Sequence, residues 1–324
     1  MILKDYLNDL KLQINIGGAN DRHLQIIKSI FQVEINLIDK DIVLDGKQEA
    51  CNLVLKLLDL IVYLTNNNCE LLERDLVYLC KYLQANNDLE QIKALYINPL
   101  KIINTPSNKP IYAKTLNQRN YCEAMKNNDI VFAIGPSGTG KTFLAVCLAV
   151  SLLKANKVKR IVLTRPNIEA GEQLGFLPGD LKEKIDPYLT PLYDSLYALL
   201  DKETVDGLLE KGIIEIAPLG YMRGRTIANT VIILDEAQNT TYTQLKMFIT
   251  RLGFNSKMII TGDPSQVDLI ARGKTNPSAL ATIEQLFSHL EGVEISKFEA
   301  LDVVRHPLVQ KIITRYEEYE NSNS

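Results

Sequence analysis

The segment Gly135-Pro136-Ser137-Gly138-Thr139-Gly140-Lys141-Thr142 fills every defining position of the pattern G-x-x-x-x-G-K-[ST]. It follows an apolar run, Ile130 to Ile134, and opens a helical one, Phe143 to Leu153. That is the strand–loop–helix setting the pattern requires. Glycines let the backbone curl so that its N–H groups face phosphate oxygens, and the N-terminus of the following helix adds partial positive charge. Lys141 then reaches the β- and γ-phosphates, and the Thr142 hydroxyl reaches a Mg²⁺ ion. These residues suit the binding of a nucleoside triphosphate, with Gly135 through Thr142 as its cradle.

Two further blocks place polar groups after apolar strands. Val231 to Leu234 runs into Asp235-Glu236. Asp235 is a candidate for the Mg²⁺ shell, and Glu236 for orienting or deprotonating an attacking water. Met258 to Ile260 runs into Gly262-Asp263-Pro264-Ser265-Gln266, where Gln266 is a candidate sensor of the γ-phosphate. Acids after a strand also serve as plain solvation, and Gly-Asp-Pro is turn chemistry. Beside a phosphate loop the catalytic interpretation wins, because ligands of open α/β sheets bind at the carboxyl ends of strands.

The elements that must hold these groups are legible as a pattern. Apolar runs at 130–134, 160–163, 213–217, 231–234, 258–260 and 293–295 alternate with helical segments. Such spacing predicts an α/β domain with a parallel sheet covered on both faces, over residues 113–316. Upstream, residues 1–98 predict a small α+β domain: a helix over 21–31, strands over 33–38 and 41–44, and helices over 49–64 and 71–83. Between them Pro99, Pro106 and Pro110 with intervening Asn and Ser predict a linker over 99–112. Residues 317–324 are a polar tail.

Composition sets bounds. The chain has 324 residues, 46% hydrophobic and 23% charged, with a net charge of −3, so any nucleic-acid contact must come from a local basic face. Five scattered cysteines without a C-x-x-C pair favour reduced thiols and a cytoplasmic setting. No apolar run is long enough to cross a bilayer. His23, His289 and His306 lack metal-ligand spacing and are expected to pack or face solvent.

The three catalytic blocks, with Asp235-Glu236-Ala237-Gln238 complete, resemble superfamily 1 helicase motifs. Leu116-Asn117-Gln118 resembles the helicase Q motif, whose Gln reads the adenine edge, and this implies ATP; no Asn-Lys-x-Asp guanine signature is present. The closer resemblance, over about residues 110 to 316, is to the PhoH-like ATPases. It rests on Leu163-Thr164-Arg165-Pro166, Gly171 through Asp180, Tyr221-Met222-Arg223-Gly224-Arg225-Thr226, the two strand-end blocks, and Val303-Val304-Arg305-His306-Pro307, all in the family's order. The resemblance implies a RecA-like P-loop NTPase that is cytoplasmic, RNA-associated and ring-forming. One branch is paired with a YbeY-type endoribonuclease in ribosomal RNA processing and another carries a PIN nuclease domain. This chain resembles the stand-alone, YbeZ-like branch.

With one phosphate loop and one run of core strands, a stabilising arginine is expected from a neighbouring protomer of a homo-oligomer, most simply a hexameric ring. Arg305 is the first candidate and Arg272 the second. Arg165, Arg223, Arg225 and Lys182, with Tyr188, Tyr193 and Tyr221 as stacking faces, are candidates for RNA contact. Gly17-Gly18-Ala19-Asn20, followed by a helix, two strands and a long helix, resembles a KH module, which clamps nucleic-acid backbone with G-x-x-G. The fourth position here is Asn20, so protein docking stands beside RNA clamping. The function expected is Mg²⁺-dependent ATP hydrolysis coupled to RNA, with duplex unwinding left open. The rivals are an ATP-gated scaffold for an endoribonuclease and a P-loop kinase.

Overall fold

Six parallel strands carry the phosphate loop. In the computed structural model, which describes residues 1–85, 88–166, 181–267, 270–271, 274–275 and 278–303 with Ile312, Arg315 and Tyr319, the chain divides into two units. One comprises Met1–Leu100 with Lys114–Leu116, the other Lys101–Ala113 with Asn117–Ser324.

In the first unit β1 (Ile2–Leu3), α1 (Leu10–Gly17), α2 (Arg22–Phe31), β2 (Glu34–Ile38), β3 (Asp41–Asp45) and α3 (Gln48–Asn66) precede α4 (Glu73–Gln84) and α5 (Leu89–Ile97). The strands form an antiparallel sheet in the order β1-β3-β2. Helix α2 is amphipathic, with His23, Leu24, Ile27 and Phe31 buried along one stripe. Gly17-Gly18 joins α1 to α2. Gly18 has φ 70°, and a Cβ there would sit 2.6 Å from the His23 ring. His23 is buried, and its Nδ1 lies 2.8 Å from the carbonyl of Asn15. It is a packing histidine. The loop therefore follows a fixed path, with Ala19 and Asn20 exposed at its tip.

The second unit begins with β4 (Lys101–Asn104) and β5 (Pro110–Tyr112), an antiparallel pair. The linker expected over 99–112 is thus a hairpin. Its prolines and asparagines are turn chemistry: Asn108 takes φ 59° and its N–H bonds the Thr105 carbonyl at 2.9 Å, while Pro110 occupies the first position of a strand, where a missing N–H is tolerated.

Next come α6 (Leu116–Asn127), β6 (Ile130–Ile134), α7 (Lys141–Lys154), β7 (Arg160–Arg165), α8 (Leu181–Tyr197), α9 (Lys202–Glu210), β8 (Ile214–Pro218), β9 (Thr230–Leu234), α10 (Tyr242–Ile249), β10 (Lys257–Gly262), the two-residue pair β11 (Ile270–Ala271) and β12 (Lys274–Thr275), α11 (Ile283–Phe287) and β13 (Val293–Lys297). The sheet order is β13-β6-β10-β9-β7-β8, with every neighbour parallel. The four inner strands β6, β10, β9 and β7 are buried on both faces, as their unbroken apolar runs demand. Phe132, Val162, Ile232, Leu234, Met258 and Ile260 pack on one side with Leu245 and Phe248 of α10 and Ile283 of α11. Residues of the other parity (Val131, Ile161, Val231, Ile259) are equally buried, and α7 lies against β7, β9 and β10. The residues expected as a polar tail lie, apart from Tyr319, outside the described ones. No helix among the described residues is long and apolar enough to cross a membrane.

Phe132 is fully buried in β6 and stacks on Phe287, with ring centroids 5.4 Å apart. Phe132→Ala should destabilise the second unit by about 3–5 kcal/mol. Denaturant unfolding with a shifted midpoint and unchanged slope checks this, and a loss under ~1 kcal/mol would show that the site collapses around the deletion.

Candidate active site

The phosphate loop leaves β6 and enters α7 through Gly140, which sits at φ 83° as the helix N-cap. Gly135, at φ 148°, passes so close to Phe298 that a Cβ would stand 2.3 Å from its carbonyl oxygen. Glycine is required there by both torsion and space. Within the loop Thr139 Oγ1 donates to the Pro136 carbonyl at 3.0 Å. Lys141 is buried, and its Nζ donates to the carbonyls of Gly135 at 2.8 Å and Pro136 at 2.7 Å. Ser137, Gly138, Gly140, Lys141, Thr142, Arg165, Asp235, Glu236, Asp263 and Gln266 line one cleft of about 320 Å³.

Asp235 ends β9 and is buried among hydroxyls. Its Oδ1 accepts from Thr142 Oγ1 at 2.6 Å and from Thr261 Oγ1 at 2.8 Å. Strand β10 lies between β6 and β9, so it carries Thr261 into the gap between the loop helix and Asp235. The donor set is one carboxylate and hydroxyls beside a phosphate cradle, all hard oxygens. Such a set fits Mg²⁺, which is held by one or two carboxylates together with substrate phosphates. Thr142 and Asp235 are the residues that would hold it.

Glu236 follows at φ 54°. Its Oε1 accepts from Arg165 Nη2 at 3.0 Å, and its Oε2 accepts a short hydrogen bond from Gln238 Nε2. Gln238 Oε1 in turn accepts from the backbone N–H of Asp263 at 3.0 Å. Asp263 closes the circuit: its Oδ2 accepts from the N–H of Ser137, inside the phosphate loop, at 2.8 Å. Gly262 makes the passage possible, since a Cβ there would lie 2.9 Å from Gln238 Oε1 and 2.4 Å from Leu280 Cδ1. The sequence assigns no role to Thr261, Gln238 or Asp263, although each belongs to a polar block closing an apolar strand.

The other expected residues fall both inside and outside this cleft. Gln118, expected at the adenine edge, is buried, and its Nε2 donates to the Thr139 carbonyl at 3.0 Å; it braces the loop from behind rather than lining the cleft. Arg165, expected to contact RNA, lines the cleft. Arg225, also expected at RNA, grips Glu215 with two bonds of 2.6 and 2.7 Å, and Glu215 also accepts from Arg160 at 2.8 Å. Arg223 and Tyr221 are exposed on either side of Met222. Tyr193 stacks on Tyr197 of its own helix, with centroids 6.5 Å apart. Gln266 is exposed at the cleft mouth. Arg272, Arg305 and His306, and the side chains of Lys182 and Tyr188, lie outside the described residues. Burial pushes the Cys122 and Cys147 thiols up to about 12, so neither is a thiolate at neutral pH.

The hydrogen bonds and charge of Arg225, joined by Arg160, hold the Glu215 carboxyl below the ordinary glutamate range against the opposing effect of burial. A depressed folded value gives stability that is present above the unfolded pKa and is lost as pH falls through the folded value. Glu215→Gln should therefore weaken the fold at neutral pH and flatten the acid limb of its stability profile. Parallel acid limbs for the two chains would show that this cluster does not couple folding to protons.

Residues 110–317 match the family model described as PhoH-like protein. The PhoH-like protein of Bacillus subtilis (strain 168) is 47% identical over 304 residues, covering 94% of this chain and 93% of that one. A PhoH-like protein of Mycobacterium tuberculosis (strain ATCC 25618 / H37Rv) is 40% identical across 97% of this chain and 87% of its own. Protein PhoH of Escherichia coli (strain K12) is 44% identical over 64% of this chain and 58% of its own length. A phosphate loop, strand-end acids and Gly-Asp-Pro block brought into one cleft, within a match that runs from the hairpin through the last strand, make this chain a member of the PhoH-like protein family.

Proposed function

We propose that the chain hydrolyses ATP to ADP and phosphate in this cleft and couples the reaction to RNA. The observation that carries the hydrolytic step is the 2.6 Å bond from Thr142 to Asp235 with Glu236 next in sequence. It supports a metal-binding pair at Thr142 and Asp235, with the Glu236 carboxylate, held by Arg165 and Gln238, beside it on one wall of the phosphate cradle. A water oxygen attacks the γ-phosphorus, the bond to the β–γ bridging oxygen breaks, and Glu236 takes the proton from water. Lys141 and the loop amides hold the transferring group and neutralise its charge. Mg²⁺ held at Thr142 and Asp235 supplies further charge neutralisation on the phosphate oxygens. Gln266, at the cleft mouth, is the proposed γ-phosphate sensor.

Glu236→Gln should keep ATP binding and lower turnover about 10²–10⁴-fold, as loss of a positioned base does. Lys141→Ala should lose binding itself. Phosphate release from labelled ATP and nucleotide titration check both, and a Glu236→Gln chain turning over at the wild-type rate would remove that residue from the mechanism.

The RNA half of the proposal is supported by the order of elements around Gly17-Gly18, by the exposed loop tip at Ala19 and Asn20, and by exposed Tyr221 and Arg223. Single strands are held by such loops and by aromatic and basic groups together. The double substitution Ala19→Asp and Asn20→Asp places two negative charges where a backbone phosphate would lie. Asn20 already holds φ 52°, a torsion that Asp tolerates. Affinity for single-stranded RNA should fall at least ~10-fold, with ATP turnover in the absence of RNA unchanged. Unchanged affinity assigns the loop to protein docking.

The clamp on Glu236 favours a second proposal: slow turnover in an ATP-gated scaffold for a YbeY-type endoribonuclease. That reading requires ATP to change endoribonuclease affinity while strand unwinding stays undetectable. Assembly into a homo-oligomeric ring, expected from the single run of core strands, belongs to either proposal.

A further inference from the structure

We infer that Arg165 is the γ-phosphate-reading cation of this cleft, supplied by the same chain, and that it exchanges the Glu236 carboxylate for the γ-phosphate when a triphosphate binds. This inference deepens the proposed function and rests on it for the identity of the ligand.

Three features carry it. The first is position. Arg165 ends β7, beside β9 in the sheet, and lines the cleft together with Lys141, Thr142 and Asp235. It stands in the phosphate pocket rather than on an outer nucleic-acid face. The second is the state of Glu236. Arg165 Nη2 holds one of its oxygens and Gln238 the other, so its orientation is set by protein donors. The third is the circuit that continues from Gln238 through Asp263 to the N–H of Ser137. That amide belongs to the loop whose N–H groups bind phosphate. A triphosphate therefore competes at both ends of one hydrogen-bonded chain, for the Ser137 amide held by Asp263 and for the Arg165 guanidinium held by Glu236.

Charge decides the direction. A γ-phosphate placed beside Glu236 without a shared cation is repelled by it. The guanidinium fork fits phosphate oxygens bidentately and is worth more against a phosphate than against a single carboxylate oxygen. Moving Arg165 to the phosphate removes that repulsion and frees one Glu236 oxygen toward the attacking water. A diphosphate offers no γ-oxygens and leaves the Arg165–Glu236 pair in place. Gln238 is then a positioning residue, which keeps Glu236 on the water side while Arg165 leaves.

The test uses the full chain with Mg²⁺ and compares calorimetric affinities for ADP and for the β,γ-imido analogue of ATP in wild type, Arg165→Ala and Arg165→Lys. Arg165→Ala should lose about 10- to 100-fold of the triphosphate-over-diphosphate preference, the size of one charged hydrogen-bonded contact. Its ADP affinity should stay within about twofold, because nothing in the pair touches a diphosphate. Arg165→Lys keeps the charge without the fork and should recover part of the preference. Equal losses for both nucleotides, an unchanged preference, or a wild type with no preference would each overturn the inference. So would an Arg165→Ala chain that keeps its preference but loses stimulation by single-stranded RNA, which would assign Arg165 to nucleic acid. A wild type that prefers the triphosphate yet releases no phosphate refutes the proposed hydrolysis while the affinity ratio still decides Arg165.

Discussion

The site depends on a buried carboxylate that hydroxyls make tolerable. Asp235 is only 6% exposed and directly follows the apolar run Val231–Leu234 of β9. A carboxylate in such a place is costly unless hydrogen-bonded. Thr142 and Thr261 meet that need, and they come from elements far apart in sequence. Thr261 reaches Asp235 only because β10 is inserted between β6 and β9, with Ile260 in register with Leu234 and Thr261 with Ala133. The sheet order is therefore a condition for the phosphate loop and the acidic strand end to share one polar centre.

That condition explains what could and could not be read from residues alone. The strands at 130–134, 231–234 and 258–260 were legible because runs of Ile, Val and Leu stop at Gly, Asp or Thr, and the loop from Gly135 to Thr142 spells its own chemistry. The family resemblance rested on the same blocks. Sequence says that a polar residue follows a strand, but not which strand lies beside it. Arg165 looked like an RNA contact until β7 was placed next to β9, where its guanidinium meets Glu236. Arg225 is an RNA-contact candidate by residue type, and only the placement of β8 shows that Glu215 lies beside it. Gln118 illustrates the converse. Its motif resemblance points to an adenine edge, and its amide meets the Thr139 carbonyl behind the cradle. The hairpin at 101–112 was missed because Pro and Asn mark turns inside a domain as strongly as they mark linkers.

The first unit shows the same dependence on buried polar contacts at smaller scale. Asn15 donates its side-chain N–H to Thr65 Oγ1 at 2.9 Å and accepts from His23 Nδ1 at its backbone carbonyl, so α1, α2 and α3 are tied at one polar point inside an apolar core. Buried polar groups of this kind favour a single arrangement when every partner is present. Here that arrangement fixes the departure angle of the Gly17-Gly18 loop.

The cleft lining carries more negative than positive side chains. Among its lining residues are three carboxylates, Asp235, Glu236 and Asp263, and two cations, Lys141 and Arg165. Both cations bond oxygens of the protein, Lys141 on the carbonyls of Gly135 and Pro136 and Arg165 on Glu236. A polyphosphate entering such a cleft adds negative charge to a lining that is already negative. A triphosphate would settle there by drawing both cations off protein oxygens, with a divalent cation at Asp235 offsetting the remaining charge. Of these exchanges only the one at Arg165 also releases a carboxylate. On the proposed exchange, triphosphate binding and the freeing of Glu236 are one electrostatic event, whereas a diphosphate, too short to reach Arg165, binds and leaves Glu236 held.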